Sequence, residues 1–149
     1  MPSGDQGYGL EVSSAPSPLS PEQRVDLTKA VQLARSICGY GFGIYVGPLA
    51  DGHDSAVAQH ALLPDPASAV LIAVDPSSRS IEIVTGINVI VTLDNRACEL
   101  AVLAMKSCFG ADDLVGGLRE GVTLLAEHAR APRVLHLDEG ELIEYKGTY

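Results

Sequence analysis

No apolar run in the 149 residues reaches the ~18 that a membrane-crossing helix needs, although 46% of the chain is hydrophobic and its mean hydropathy is +0.18. A soluble protein is therefore expected. Positive charge is scarce as well, with ten Lys and Arg against nineteen Asp and Glu and a formal net charge of −9. That is the wrong sign for neutralising phosphates, so nucleic acid is not an expected partner. An acidic surface suits cations or basic partners, and it also keeps a chain soluble and monomeric. The three cysteines, Cys38, Cys98 and Cys108, are an odd number with no close C-x-x-C pair. They exclude a disulfide framework and read as reduced core residues. The first twenty residues have neither a basic start nor an apolar stretch, so no secretory or transit signal is expected and the cytoplasm is the simplest address. Neither a Cys-x5-Arg loop nor a dense D-x-D-x-D-G cation loop occurs. Any hard-cation site must then be assembled from distant loops.

What is there fits one domain with tails. Residues 1–18 are rich in Gly, Pro and Ser and are expected to be a disordered tail. Residues 19–131 carry the periodic segments, and 132–149 form an acidic hairpin or tail around Val134-Leu-His-Leu and Leu142-Ile-Glu-Tyr. Ser20-Pro-Glu-Gln23 is a capping-box start for a helix whose stripe is Leu27, Ala30, Val31, Ala34, Ile37 and Cys38. Gly39 ends that helix, and a strand follows from Phe42 to Val46. Gly39, Gly41 and Gly43 precede the strand, whereas a dinucleotide-binding loop places its glycines after one. Asp51, His53 and Asp54 lie on the next loop, where Asp54 or Ser55 would cap a short helix running to about Leu63. His60 on that helix reads as a partly buried spacer.

The centre is Ala69-Val-Leu-Ile-Ala-Val, an Asp75-Pro-Ser-Ser-Arg79 turn, and Ser80-Ile-Glu-Ile-Val-Thr, which together predict a β-hairpin. Residues 86–91 are apolar enough to prolong its second strand or cover a sheet edge. Asp94 caps a helix with the inner face Ala97, Cys98, Ala101, Val102, Met105, Cys108 and Phe109. Asp112 or Asp113 opens the last helix, and Pro132 ends it. The order helix, strand, helix, strand, strand, helix, helix predicts an α/β fold, a three-layer α/β/α sandwich on a small mixed sheet. Its acidic residues divide between the two ends of the sheet. Asp51, Asp54 and Asp75 share the hairpin-turn end with Asp112 and Asp113; Asp65 shares the other end with Asp94.

The order and spacing of these segments over residues 20–130 resemble the TPM domain. The likeness rests on Ala69-Val-Leu-Ile-Ala-Val, Ser80-Ile-Glu-Ile-Val-Thr-Gly86, Leu93-Asp94, and the stretch from Phe109 to Gly117. Such a resemblance implies acid-type phosphatase activity and divalent cations held by acidic loops. Asp94 and Asp112 or Asp113 fall at the family's acidic positions. The acidic residue before its Asn-Gly-Val-Leu run falls instead at Ala67 or Ser68, with Asp65 the nearest carboxylate. The candidate metal ligands, for Ca2+ or Mg2+, are therefore Asp94, Asp65, Asp112 and Asp113. Three functions compete: a soluble adaptor with an acidic rim and a protein partner, a divalent-metal-assisted phosphatase, and a structural subunit of a homo-oligomer. The composition, poor in Lys and rich in Ala, Val and Arg, points to a bacterial chain.

Overall fold

Ser20 sets the first element. In the computed structural model, which describes residues 19–130, its hydroxyl accepts the Gln23 amide at 3.1 Å while the Gln23 side chain accepts the Ser20 amide at 2.9 Å. This capping box, with Pro21 in the first turn, starts helix α1 (Pro21–Cys38), and Gly39 ends it in a left-handed conformation. Leu27, Val31 and Ala34 are its buried stripe. The disordered tail expected at 1–18 and the hairpin or tail at 132–149 lie outside the described residues.

Strand β1 (Gly41–Val46) pairs parallel with β2 (Ala69–Asp75), and β2 pairs antiparallel with β3 (Ser80–Thr85). The sheet order is β1-β2-β3, a mixed sheet of three strands. Every residue of β2 is buried, as expected of a central strand covered on both faces, and this is why it reads as an unbroken apolar run. Alternate residues divide the core. Phe42, Ile44, Val46, Val70, Ile72 and Val74 pack with α1 and with helices α3 (Asn95–Gly110) and α4 (Leu114–Arg130). Tyr45, Leu71 and Ala73 face the other way, onto Ala56 of helix α2 (His53–His60) and onto Leu49 and Leu63. The expected three-layer α/β/α sandwich is thus present, with one thick helical layer and one thin one.

Within the thick layer α4 packs against both α1 and α3. Small residues set the α3–α4 register: a Cβ on Gly121 would lie 2.7 Å from Met105 Sδ, and one on Gly117 would strike Phe109. Residue numbers facing each other therefore sum to about 226, an antiparallel pair in which Ala129 meets Ala97, both buried. An Asp26–Arg119 ion pair places the starts of α1 and α4 at the same end. Consequently α4 finishes, at Arg130, beside the first turn of α3. No helix among the described residues is long and apolar enough to cross a membrane.

Two local expectations are corrected. Helix α2 begins at His53 and ends at His60; Gly52, at φ +60°, is its N-cap, and no side chain caps it. The Ser55 hydroxyl instead accepts the Asp51 amide at 2.8 Å, and Pro64 disfavours helical backbone at Leu63, so the helix stops short. Residues 86–91 do not prolong β3. After Gly86 donates to the Ala69 carbonyl at 2.9 Å, the chain coils through turns in which Val89 donates to the Gly86 carbonyl and accepts from the Thr92 and Leu93 amides. The reason is that a 3-10 turn, Pro66–Ser68, and not extended backbone precedes β2, so past Gly86 only the Asn88 amide finds a carbonyl there, that of Ala67.

Candidate functional site

At the hairpin-turn end the central group is Asp75, only 7% exposed at the end of β2. Its carboxylate accepts the Leu49 amide at 3.0 Å, the Ser77 hydroxyl at 2.8 Å and the Ser77 amide at 3.1 Å. The Leu49 amide, followed by the Ser77 hydroxyl, holds its pKa at about 2, below the ordinary 3.8, against the opposing effect of burial. Asp75 thereby fastens the β1–α2 loop to the hairpin. Close by, His53 Nδ1 and Glu82 Oε1 meet at 3.0 Å, but the histidine side chain is 62% exposed and such a pair contributes little.

The proposed metal ligands are separated by the fold. Asp94 is the N-cap of α3, its Oδ1 accepting the Ala97 amide at 3.0 Å. Asp113 begins the first turn of α4 by accepting the Gly116 amide at 2.9 Å. Asp112, at φ +63°, and Asp65, at φ +51°, occupy left-handed turn positions. Asp65 and Asp94 belong to one end of the sheet. Asp112 and Asp113 follow the sixteen residues of α3, a rise of about 24 Å, so the four cannot share one ion. Among the described residues no three His, Cys, Asp or Glu side chains gather as a metal-ligand group. His60 is buried, with Nε2 3.0 Å from the Ala69 carbonyl, the contact of a satisfied core histidine. The Cys38 and Cys98 thiols are pushed up by burial, and the Asp94 charge adds to this at Cys98. Neither is activated as a thiolate.

The end carrying Asp65 and Asp94 holds a feature that the sequence offered either as a prolonged strand or as cover for a sheet edge. Gly86 is pressed so closely on Pro66 and Ala67 that a Cβ would strike their carbonyl oxygens. The Asn88 amide donates to the Ala67 carbonyl at 2.8 Å and its side chain to the Ser68 hydroxyl at 2.9 Å. The Tyr40 hydroxyl lies 2.9 Å from Thr92 Oγ1 and donates to the Asn88 carbonyl at 3.4 Å. Val89 and Leu93 plug into the core at 0% and 1% exposure. On this held backbone Ile87, Ile90 and Val91 stand 75%, 52% and 86% exposed. One signal was available in the sequence: four apolar residues among 87–91 are too many for a strand with a single buried face.

Comparison with known proteins identifies the family: the model of a domain of unknown function, DUF5130, matches residues 7–126. The chain belongs to the DUF5130 family. This overturns the resemblance to the TPM domain. The motifs behind that resemblance are a buried strand, a hairpin and an aspartate N-cap, which report the fold that needs them rather than a family. Two bacterial relatives, the uncharacterized proteins Rv2468c and MT2543 of two Mycobacterium tuberculosis strains, are 35% identical to this DUF5130 chain over 105 residues, 68% of its length. The match spans only 62% of those relatives. Solved structures of similar fold include the BA42 protein of Bizionia argentinensis, with TM-score 0.68, 16% identity, and 78% of this chain and 84% of that one covered. Another is the N-terminal domain of the cg2496 protein of Corynebacterium glutamicum, with TM-score 0.63, 15% identity, and 87% and 84% covered. At these identities the likeness concerns the fold alone.

Proposed function

We propose that this DUF5130 domain is a binding module that engages a protein partner through the apolar knob of Ile87, Ile90 and Val91. The supporting observation is the exposure of these three β-branched side chains, within five residues, on a backbone pinned by Asn88, Tyr40 and Gly86. Exposed apolar residues scattered singly are ordinary; a cluster on a held loop is the form a contact surface takes. Because the backbone is already ordered, docking would recover about 25 cal/mol per Å2 of apolar surface with little further entropy lost. The acidic rim serves the fold in this reading, since the Asp75, Asp94 and Asp113 carboxylates already accept backbone amides. The metal-assisted phosphatase has less support, as the carboxylates it needs lie at opposite ends of α3.

The test is affinity capture from an extract of the host cell with three full-length proteins: native, Ile87→Ser/Ile90→Ser/Val91→Ser, and a control, Leu100→Ser/Leu103→Ser, altered on the outer face of α3. The knob variant should lose partners that native and control both retain. Equal capture by all three contradicts the proposal, and capture of only a second copy of the chain replaces it with self-association.

A further inference from the structure

The sheet has two edge strands, β1 and β3, and they meet solvent differently. In β1, Phe42, Ile44, Tyr45 and Val46 are at most 5% exposed, whereas all six residues of β3 are partly exposed. The Gly86 amide fixes which backbone groups of β3 point outward. Its bond to the Ala69 carbonyl continues the register that sets Val70 opposite Thr85, and hydrogen-bonded pairs alternate along an antiparallel ladder. Ser80, Glu82 and Val84 therefore bond to β2, while the N–H and C=O groups of Ile81, Ile83 and Thr85 point away from it. Val74, which faces β1 in the same alternation, does accept the Gly47 amide there, at 3.0 Å. Among the described residues no hydrogen bond reaches the outward groups of β3. The strand also lacks the proline, lysine or bulge that commonly blunts an edge.

We infer that β3 pairs antiparallel with β3 of a second copy of this chain, about a two-fold axis at Ile83, joining the two three-stranded sheets into one. Extended backbone is what matches an open ladder, and two observations select a second copy. The first is the order of residues in β3. Directly opposite residues share a face of the sheet, so the axis must pass through a residue. At Glu82 it would set that carboxylate against itself, a destabilising like-charge pair. At Ile83 it sets Ile83 against Ile83, Ile81 against Thr85 and Glu82 against Val84, and every outward group from 81 to 85 finds a partner. The second is α3. Helices α1, α4 and α3 pack over β1, β2 and β3 in turn, and α3 meets the α4 glycines through Met105, Cys108 and Phe109. At 100° per residue Glu99, Leu103 and Lys106 fall on the side turned away from α4, above the open edge, and all three are exposed. Counted from the same end of the sheet, Ile83 lies about 10 Å from Gly86 and Leu103 about 12 Å from Asn95. The axis at Ile83 thus brings the two α3 flanks together antiparallel near Leu103, with Glu99 of each copy against Lys106 of the other.

One strand and one helix flank make a small interface, so association is measured up to high concentration, about 10 to 1,000 µM, by sedimentation velocity of the full-length chain. Dimerisation uses the β3 edge and not the knob, so Ile87→Ser/Ile90→Ser/Val91→Ser protein should dimerise like the native chain. Thr85→Pro removes an outward N–H and leaves the β2 ladder intact, and it should weaken the dimer at least tenfold. Lys106→Glu, exposed and remote from the core, should weaken it at least threefold, and Glu99→Lys/Lys106→Glu should restore it. Amide exchange followed by NMR at the two ends of the concentration range reads the register itself. The amides of Ile81, Ile83 and Thr85 should exchange fast when dilute and slow at least tenfold when concentrated, while those of Glu82 and Val84 are protected throughout. A monomer at every concentration overturns the inference, as does slow exchange of the three outward amides in the dilute monomer. A dimer in which those amides stay fast, or one unmoved by both Thr85→Pro and Lys106→Glu, also overturns it.

Discussion

The two ends of this sandwich use their side chains in opposite ways. At the hairpin-turn end the carboxylates bond back to the fold: Asp75, buried, accepts the Leu49 amide and both Ser77 donors, and Asp113, at the surface, accepts the Gly116 amide. Their chemistry is complete within the fold. At the other end the polar groups of Tyr40, Ser68, Asn88 and Thr92 hold a loop in place, and what they hold up to solvent is apolar. The Asp75, Asp94 and Asp113 carboxylates are here structural, whereas what the held loop presents to solvent is Ile87, Ile90 and Val91. A side chain's type alone does not mark a site; an unexplained exposure does.

Substitutions can break or sharpen this contrast. Leu93→Ala removes a plug buried to 1% and should destabilise the domain by about 2–5 kcal/mol, read as a shift in denaturant midpoint. Gly86→Ala forces a methyl onto the Pro66 and Ala67 carbonyls and should cost about 1–3 kcal/mol through overpacking, with knob capture reduced as the loop shifts. Asp94→Ala should lose about 1 kcal/mol as a missing N-cap, and Asp94→Asn should lose only a few tenths because Asn caps equally well; equal losses in the two would show that the charge, and not the cap, matters.

Asp75 gives a pH signature. Its folded pKa of about 2 lies below the ordinary 3.8, so its contribution is fully present above pH about 4 and lost as pH falls from there through about 2. Native protein should therefore lose melting temperature across that window more steeply than Asp75→Asn, and parallel curves would contradict the assigned role. The smallest effect on stability belongs to the knob: each of Ile87→Ser, Ile90→Ser and Val91→Ser should stay within about 0.5 kcal/mol while partner capture falls.

Much of the architecture was legible because local signals and the fold agree. The Ser20 capping box, the β2–β3 hairpin and the stripes of α1 and α3 all follow from spacing and caps that the structure repeats. The separation of Asp65 and Asp94 from Asp75, Asp112 and Asp113 also follows from element order alone. The knob was not legible. Residues 86–91 have strand-like composition, and the 3-10 turn Pro66–Ser68 ahead of β2 denies them an extended partner strand. That is a fact about another segment of the chain. The start of α2 was missed for a related reason: Gly52 at φ +60° turns the chain without a side-chain cap.

Hydrogen–deuterium exchange of the full chain, alone and in the complex recovered by capture, compares the two ends directly. The account predicts that amides of residues 86–94 slow by at least tenfold on complex formation while those of 75–80 do not change. Protection centred on the hairpin turn, with the 86–94 loop unaffected, would contradict it.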